Sequence, residues 1–400
     1  MIMENNNDNK VLNVPHLRFP EFSGEWKKCK LGDLCNVLMC KRILVSQTNT
    51  EDGVPFYKIG TIGSTPDAYI SKELFDDYKV KYNYPRKGEV MITCAGTVGK
   101  CVVYDGEDAY FQDSNIVWID NPTQYISNGF LFHLLSKVDW RKLNSTTIIR
   151  IYNDDLRNLK MSYPRKEEQQ KISHLLSLLD ERIATQNKII EDLKKLKSAI
   201  IEKTFNENYS NKIRLRDVGS YIRGLTYSSD DVVESNGIFV MRSNNIINGS
   251  SLDYHNNIVS VNKQILTEQQ LQTGDIVICM ANGSSSLVGK SSFYDGDCST
   301  PITVGAFCGI YRSKEPIVKW LFQTNKYRRY IWNSLQGGNG AIANLNGDDI
   351  LRMSFSIPAT PAKDNRIKLL TSVDTLLESN ISLCDLYISQ KLYLLRQMFI

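Results

Sequence analysis

The chain repeats itself, and the repeat constrains its fold more than any other feature. Lys30-Leu31-Gly32-Asp33-Leu34 matches Arg214-Leu215-Arg216-Asp217-Val218 at an offset of 184 residues, and Gly53-Val54 with Lys58 matches Gly237-Ile238 with Arg242 at the same offset. Gly88-Glu89-Val90 matches Gly274-Asp275-Ile276 at 186. Val98-Gly99-Lys100 and Tyr104-Asp105-Gly106 match Val288-Gly289-Lys290 and Tyr294-Asp295-Gly296 at 190. Asp154-Asp155-Leu156 and Pro164 match Asp348-Asp349-Ile350 and Pro358 at 194. Ordered matches with a slowly growing offset mean a duplicated unit of about 190 residues with small insertions, far longer than a solenoid repeat.

Each copy has two parts. The first about 150 residues carry short β-branched runs between Gly, Asn, Asp and Ser clusters, such as Glu89–Thr93, Asn115–Ile119 and Asp275–Cys279. These predict strands in a loop-rich, mainly β or α+β domain. The second part predicts a long helix after Pro164 and after Pro358. Ile172, Leu176, Leu179, Ile183, Ile190, Leu193 and Ile200 recur at three- and four-residue steps in the first. Leu377, Ile381, Cys384, Ile388, Leu395 and Met398 do so in the second. Gln186, Lys197 and Lys391 interrupt these seams, as polar residues that fix register do. A helix of about 60 Å with one apolar stripe needs a partner, and the other copy, running antiparallel, is the nearest one.

The expected fold class is therefore α+β: two similar mainly β domains separated by two helices in an antiparallel coiled coil, with pseudo-twofold internal symmetry. The boundaries expected are a frayed, Asn-rich terminus at 1–12, a first domain at 13–164, a central helix at 165–208, a second domain at 209–358 and a C-terminal helix at 359–400. No run of 18 apolar residues occurs, so no membrane span is expected. Nine cysteines without a C-x-x-C pair and four scattered histidines predict reduced thiols in the cytoplasm and no structural zinc.

Catalytic motifs are poorly matched. Gly283–Ser291 resembles a phosphate-binding P-loop but has five residues between its glycines where four are needed, and its counterpart Gly96–Cys101 has two. Asn121-Pro122-Thr123-Gln124-Tyr125 shares only part of the N-P-P-[YF] tetrapeptide of amino methyltransferases, and Glu25-Trp26-Lys27 is half a nuclease motif. The chain is read as not an enzyme. Its loops instead carry small polar residues beside isolated cations, the residue types that meet base edges and phosphates. The candidates are Lys58, Thr93, Thr97, Lys100, Thr146, Thr147 and Arg150 in the first copy, and Arg242, Asn244, Asn245, Asn282, Ser284, Lys290 and Asn339 in the second. Charge qualifies this. The four regions after the terminus is merged into the first hold 20 basic and 20 acidic, nine and eight, 14 and 12, and five and four residues. Phosphate neutralisation dominates DNA affinity, so such a chain needs a partner to grip a duplex. The other reading is a coiled-coil adaptor presenting two β-rich domains to proteins, and a third is a nucleotide-dependent enzyme built on Lys290.

Three stretches resemble the specificity subunits of type I restriction–modification enzymes. They are Val14-Pro15-His16-Leu17-Arg18-Phe19-Pro20-Glu21-Phe22-Ser23-Gly24-Glu25-Trp26 with Lys30-Leu31-Gly32-Asp33; Ile92–Lys100 with Asp113-Ser114-Asn115; and Glu167-Glu168-Gln169-Gln170-Lys171-Ile172 with Leu179-Asp180 and Ile183. The second copy of the last, Ala362-Lys363-Asp364-Asn365-Arg366-Ile367, lacks the E-Q-Q core. The resemblance implies two target recognition domains, each reading one half of a bipartite, asymmetric sequence in double-stranded DNA. It implies that the helices set the gap and dock two methyltransferase subunits, and that two restriction subunits complete the complex. S-adenosylmethionine, ATP and magnesium would then bind those partners, with no cofactor in this chain. Inserting one heptad into both helices, near Gln186 and near Ile388, is expected to lengthen the gap required between half-sites, read by methylating targets of graded gap.

Overall fold

The computed structural model describes residues 12–142, 149–206, 209–296, 298, 300–335 and 343–400. The chain forms two compact units. One runs to Gln186 and takes in Leu383–Ile400; the other is Asn187–Ser382. Compactness thus divides the chain inside the long helices, whereas the repeat divides it at their ends.

In the first unit a four-stranded antiparallel sheet has the order Asn36–Leu38, Ile116–Asp120, Val90–Thr93, Cys101–Val103. A second sheet has the order Thr48–Asn49, Tyr69–Ile70, Val54–Tyr57, Tyr110–Phe111, its last pair parallel. A third, two-stranded, pairs Lys27–Lys30 with Lys160–Tyr163. The other unit repeats these three sheets and adds a short pair, Ala281–Asn282 with Ala343–Asn344. Its first sheet runs Gly219–Arg223, Cys308–Ser313, Ile276–Cys279, Ser291–Phe293. Its second runs Val232–Val233, Val259–Val261, Ile238–Met241, Ile302–Val304, again with a parallel last pair, and Lys212–Arg214 pairs with Ser354–Ser356. The duplication read in the sequence is a duplication of topology.

The central strands are apolar on both faces because they divide two cores. Successive side chains of a strand point to opposite faces. Val90, Ile92, Val117 and Ile119 enter one core with Phe130, Leu131 and Leu135 of helix Asn128–Lys137. Met91 and Trp118 enter the other, with Phe56, Phe75 and Tyr110. Ile276 and Ile278 face Trp320 and Tyr327, while Val277 and Cys279 face Met241 and Leu252.

The long helices are Lys166–Phe205 and Ala362–Gln397, of 40 and 36 residues. Of the expected seam residues, Ile172, Leu176, Leu179, Ile190, Leu377 and Leu395 are buried, and Ile183, Leu193, Ile200 and Ile381 are half-buried. Ile201 takes the fully buried place beside Ile200. Ile388 requires correction. It is 39% exposed, because the seam takes a three-residue step from Cys384 and passes through Tyr387, whose hydroxyl accepts from Arg182. Within the first unit Asp180 meets Lys391 and Arg182 meets Tyr387, so rising numbers on one helix meet falling numbers on the other.

Two glycines hold the central turns open. Gly99 and Gly289 have φ of +83° and +82°. A Cβ would lie 2.2 Å from Trp140 Cδ1 at the first and 2.7 Å from Ile331 Cγ1 at the second. Gly99→Ala and Gly289→Ala are each expected to cost about 1–3 kcal/mol in urea unfolding. Gly283→Ala, with nothing within 4 Å of the added carbon, should be near neutral.

Candidate nucleic-acid interface

At one end of the first unit's central sheet four segments meet. Cys94 N donates to Asn115 O at 2.7 Å, and Ile151 N to Cys94 O at 2.9 Å. The turn after strand Val90–Thr93 leans on the segment at 58–62: Thr97 Oγ1 donates to Ile59 O at 3.3 Å and Lys100 Nζ to Ile62 O at 2.5 Å. The same segments meet in the second unit. Met280 N and Ala281 N donate to Phe307 O at 2.8 and 3.1 Å, Leu345 N to Met280 O at 2.8 Å, and Asn282 Nδ2 to Ser243 Oγ at 3.3 Å. Folding therefore gathers the loops that the sequence left scattered, and gathers them at equivalent places in both copies.

Individual candidates fare differently. Thr93 is a correction. It is fully buried, its hydroxyl donating to Thr97 O and accepting from Lys100 N at 3.0 Å, so it closes the turn and has no path to an external ligand. Asn245 is a second correction. Also fully buried, its carboxamide accepts from Arg242 N at 2.9 Å and donates to Asp253 O and Asn256 O at 3.0 and 2.8 Å. Both residues shape their loops without facing out of them. Thr97, Lys100, Arg242, Asn244 and Ser284 are exposed, and Lys58, Arg150, Asn282 and Lys290 are partly so. Thr146, Thr147 and Asn339 lie outside the described residues.

Several cations of the first unit are already engaged. Lys58 is 2.9 Å from Asp67, Lys100 binds Ile62 O, and Arg150 Nη2 donates to Ser114 O at 3.0 Å with its guanidinium over Tyr152. The second unit differs. Lys290 lines a cleft of about 220 Å³ with Ser285, Ser286, Asn248, Arg328 and Trp332. Among the described residues neither Lys290 nor Arg328 makes an ion pair. Helix Asn325–Leu335 builds this wall by burying Tyr327 and Ile331, which turns Arg328 and the 63%-exposed Trp332 toward the cleft. Tyr327 anchors it, its hydroxyl donating to Gly289 O at 2.8 Å. Arg328 and Trp332 escaped the sequence reading. Their four-residue spacing beside the buried Tyr327 and Ile331 was the available signal.

The same region argues against catalysis by the partial motifs. A P-loop lysine is followed by a helix whose N-terminus faces phosphate, but Lys290 is followed by strand Ser291–Phe293. Asn121 is buried and holds a turn, donating to Ile126 O at 2.5 Å and Asn128 Oδ1 at 2.9 Å. Burial pushes the Cys94 thiol up to about 11, so it is no nucleophile at neutral pH.

The two most specific stretches of the sequence prove to be two sides of one contact. Arg18 holds the fully buried Glu168 through Nε–Oε1 at 2.8 Å and Nη2–Oε2 at 2.7 Å, and Trp26 Nε1 adds a third bond at 3.2 Å. Gln169 accepts from Ser127 N at 2.7 Å and donates to Tyr125 O and Pro164 O, both at 2.9 Å. Glu21 pairs with Lys171. The second copy, Ala362–Ile367, has neither the Glu nor the Gln residues of this contact.

Residues 23–195 match the family model of the type I restriction modification DNA specificity domain. This segment is therefore similar to the type I restriction–modification specificity subunits. A putative type I restriction enzyme specificity subunit of Haemophilus influenzae is 46% identical over 184 residues, 46% of this chain and 45% of that one. The specificity subunit of an Escherichia coli type I restriction enzyme is 34% identical over 173 residues, 40% of this chain and 34% of that one. The matched part thus spans less than half the length of these relatives. The type I restriction–modification S subunit of M. genitalium aligns with a TM-score of 0.60 and 14% identity, covering 97% of this chain and 99% of that one, a likeness of α+β fold. Among the described residues no helix is long and apolar enough to cross a membrane.

Truncating a buried, fully bonded side chain strands its partners, whereas truncating an exposed one does not. Asn245→Ala is expected to cost about 1–3 kcal/mol of folding stability, and its neighbour Asn244→Ala to stay within about 0.5 kcal/mol, both read from denaturant midpoints.

Proposed function

We propose that this chain is the DNA-recognition subunit of a type I restriction–modification complex and is not itself catalytic. The observation that carries this is the specificity-family segment at 23–195 together with a second copy of its strand topology and converging loops. Each domain reads one half of a bipartite, asymmetric target in double-stranded DNA. Thr97, Lys100, Arg150 and Lys58 face the duplex from the first domain; Arg242, Asn244, Asn282, Ser284 and Lys290 face it from the second, with Arg328 and Trp332 beside Lys290. The two long helices form an antiparallel coiled coil that spaces the domains. Half-sites one turn apart lie about 34–36 Å from each other, within the span of a helix of about 60 Å.

The helices also offer a place for partners. Leu369, Leu376 and Leu383 recur at heptad spacing and are 41%, 50% and 38% exposed, away from the seam. Ile189 and Leu196 stand exposed on the other helix. A repeated apolar stripe outside the seam fits the helices of two modification subunits, which would bring S-adenosylmethionine and the extra cations that this chain lacks. Two restriction subunits would add ATP, magnesium, translocation and cleavage.

The chain with its modification subunits is expected to methylate adenines within one split sequence of fixed gap. Uniform methylation of random DNA would overturn the proposal. Lys290→Ala should weaken one half-site by about 1–3 kcal/mol and leave the other unchanged. If Lys290 meets a phosphate, the slope of log K against log salt should fall by about one.

A further inference from the structure

Among the described residues each unit contains an ion pair between the long helices. In the first, Lys391 donates to Asp180. In the second, Lys197 lies 2.7 Å from Asp374. Asp180 and Asp374 are 194 residues apart, and so are Lys197 and Lys391; Pro164 and Pro358 are separated by the same offset. The two pairs are one contact made twice, with acid and base exchanged between the helices. They also agree in register, since 17 residues separate Asp180 from Lys197 on one helix and Asp374 from Lys391 on the other.

Their surroundings make them demanding. Lys197 and Asp374 are 8% and 6% exposed. Asp374 also accepts from Lys319 at 2.9 Å and from Trp320 Nε1 at 3.1 Å, while Lys197 donates to Gly249 O at 2.8 Å. Burial raises the Asp374 carboxyl, but Lys197 and Lys319 together outweigh it and hold the group below the usual carboxylate range. In the first unit the buried His133 faces Asp180 and Lys391, with burial pushing its imidazole down to about 4.

The apolar seam alone does not fix how the helices align. A slip of seven residues leaves leucines and isoleucines facing each other. The same slip would set Lys197 against Ile367 or Ile381, Asp374 against Ile190 or Thr204, and Asp180 against Cys384 or Met398. For Lys197 this leaves a buried charge without an acidic partner, which is strongly unfavourable; Asp374 loses one of its two lysines, and the partly exposed Asp180 loses Lys391 to an apolar neighbour.

We propose that these two exchanged ion pairs are the residues that select the register of the long helices and, through it, the gap between half-sites. The second clause rests on the DNA-recognition reading; the first does not.

The test uses the full chain, alone and with its modification subunits. Alone, Lys391→Asp is expected to lower the thermal midpoint by about 4 °C or more, and the swap Asp180→Lys with Lys391→Asp to recover most of the loss. With the subunits, a fourfold variant removes both pairs: Asp180→Leu, Lys391→Leu, Lys197→Met and Asp374→Asn, the last keeping an acceptor for Lys319 and Trp320. Its methylation of targets with lengthened or shortened gaps should rise to within about tenfold of the parent gap, while the swap keeps the single parent gap. A merely stabilising role would change the midpoint and leave the gap alone. A swap that recovers nothing, or a fourfold variant that holds the parent gap, overturns the proposal. If the unaltered complex shows no sequence preference, the DNA reading fails, and the thermal cycle still decides the register.

Discussion

Everything that positions the candidate loops depends on a strand buried on both faces. Val90 and Ile92 enter one core and Met91 the other, and Ile276, Ile278 and Val277 repeat this. Full burial of such side chains is worth about 1.5–3 kcal/mol each, so the strand cannot slip by one residue without exchanging the contents of two cores. Its ends are therefore fixed, and the turns at 93–100 and 279–290 begin from fixed ends. Loops that recognise a ligand need a rigid platform, and here the platform is built twice from one pattern.

The copies differ at the start of the long helices and around the loops. Arg18 and Trp26 saturate the buried Glu168, pinning the N-terminal segment to the start of the first long helix. A charge-assisted bidentate bond of this kind is specific in geometry as well as strong. The second copy has neither side of the contact. Around the loops the asymmetry runs the other way: the first unit ties its cations to Asp67, Ile62 O and Ser114 O, while the second leaves Lys290 and Arg328 beside a cleft walled by Trp332. The two related domains therefore end in different polar surfaces.

Much of the fold was legible because its signals are local. The short apolar run at Val90–Thr93 and the three- and four-residue steps from Ile172 to Leu193 are signals that neighbouring residues carry by themselves. The candidate loops were legible as a set, since small polar residues beside cations recur at matching places in both copies. Their individual side chains were not. Thr93 and Asn245 have the composition of DNA contacts, yet each turns inward to satisfy backbone groups several residues away. Ile388 fits the apolar count, but the helix takes its next step at Tyr387.

The sequence by itself determined the duplication, the alternation of β-rich domain and long helix, and the family that residues 23–195 resemble. These rest on periodicity and order, which a chain carries without folding. Only the tertiary structure decided that Arg18 meets Glu168 across 150 residues, that Arg328 and Trp332 stand beside Lys290, and that Asp180 and Lys197 take exchanged partners on the second helix. The reason is that a buried charge or amide is settled by whichever partner folding brings within about 3 Å, and sequence spacing does not encode that distance.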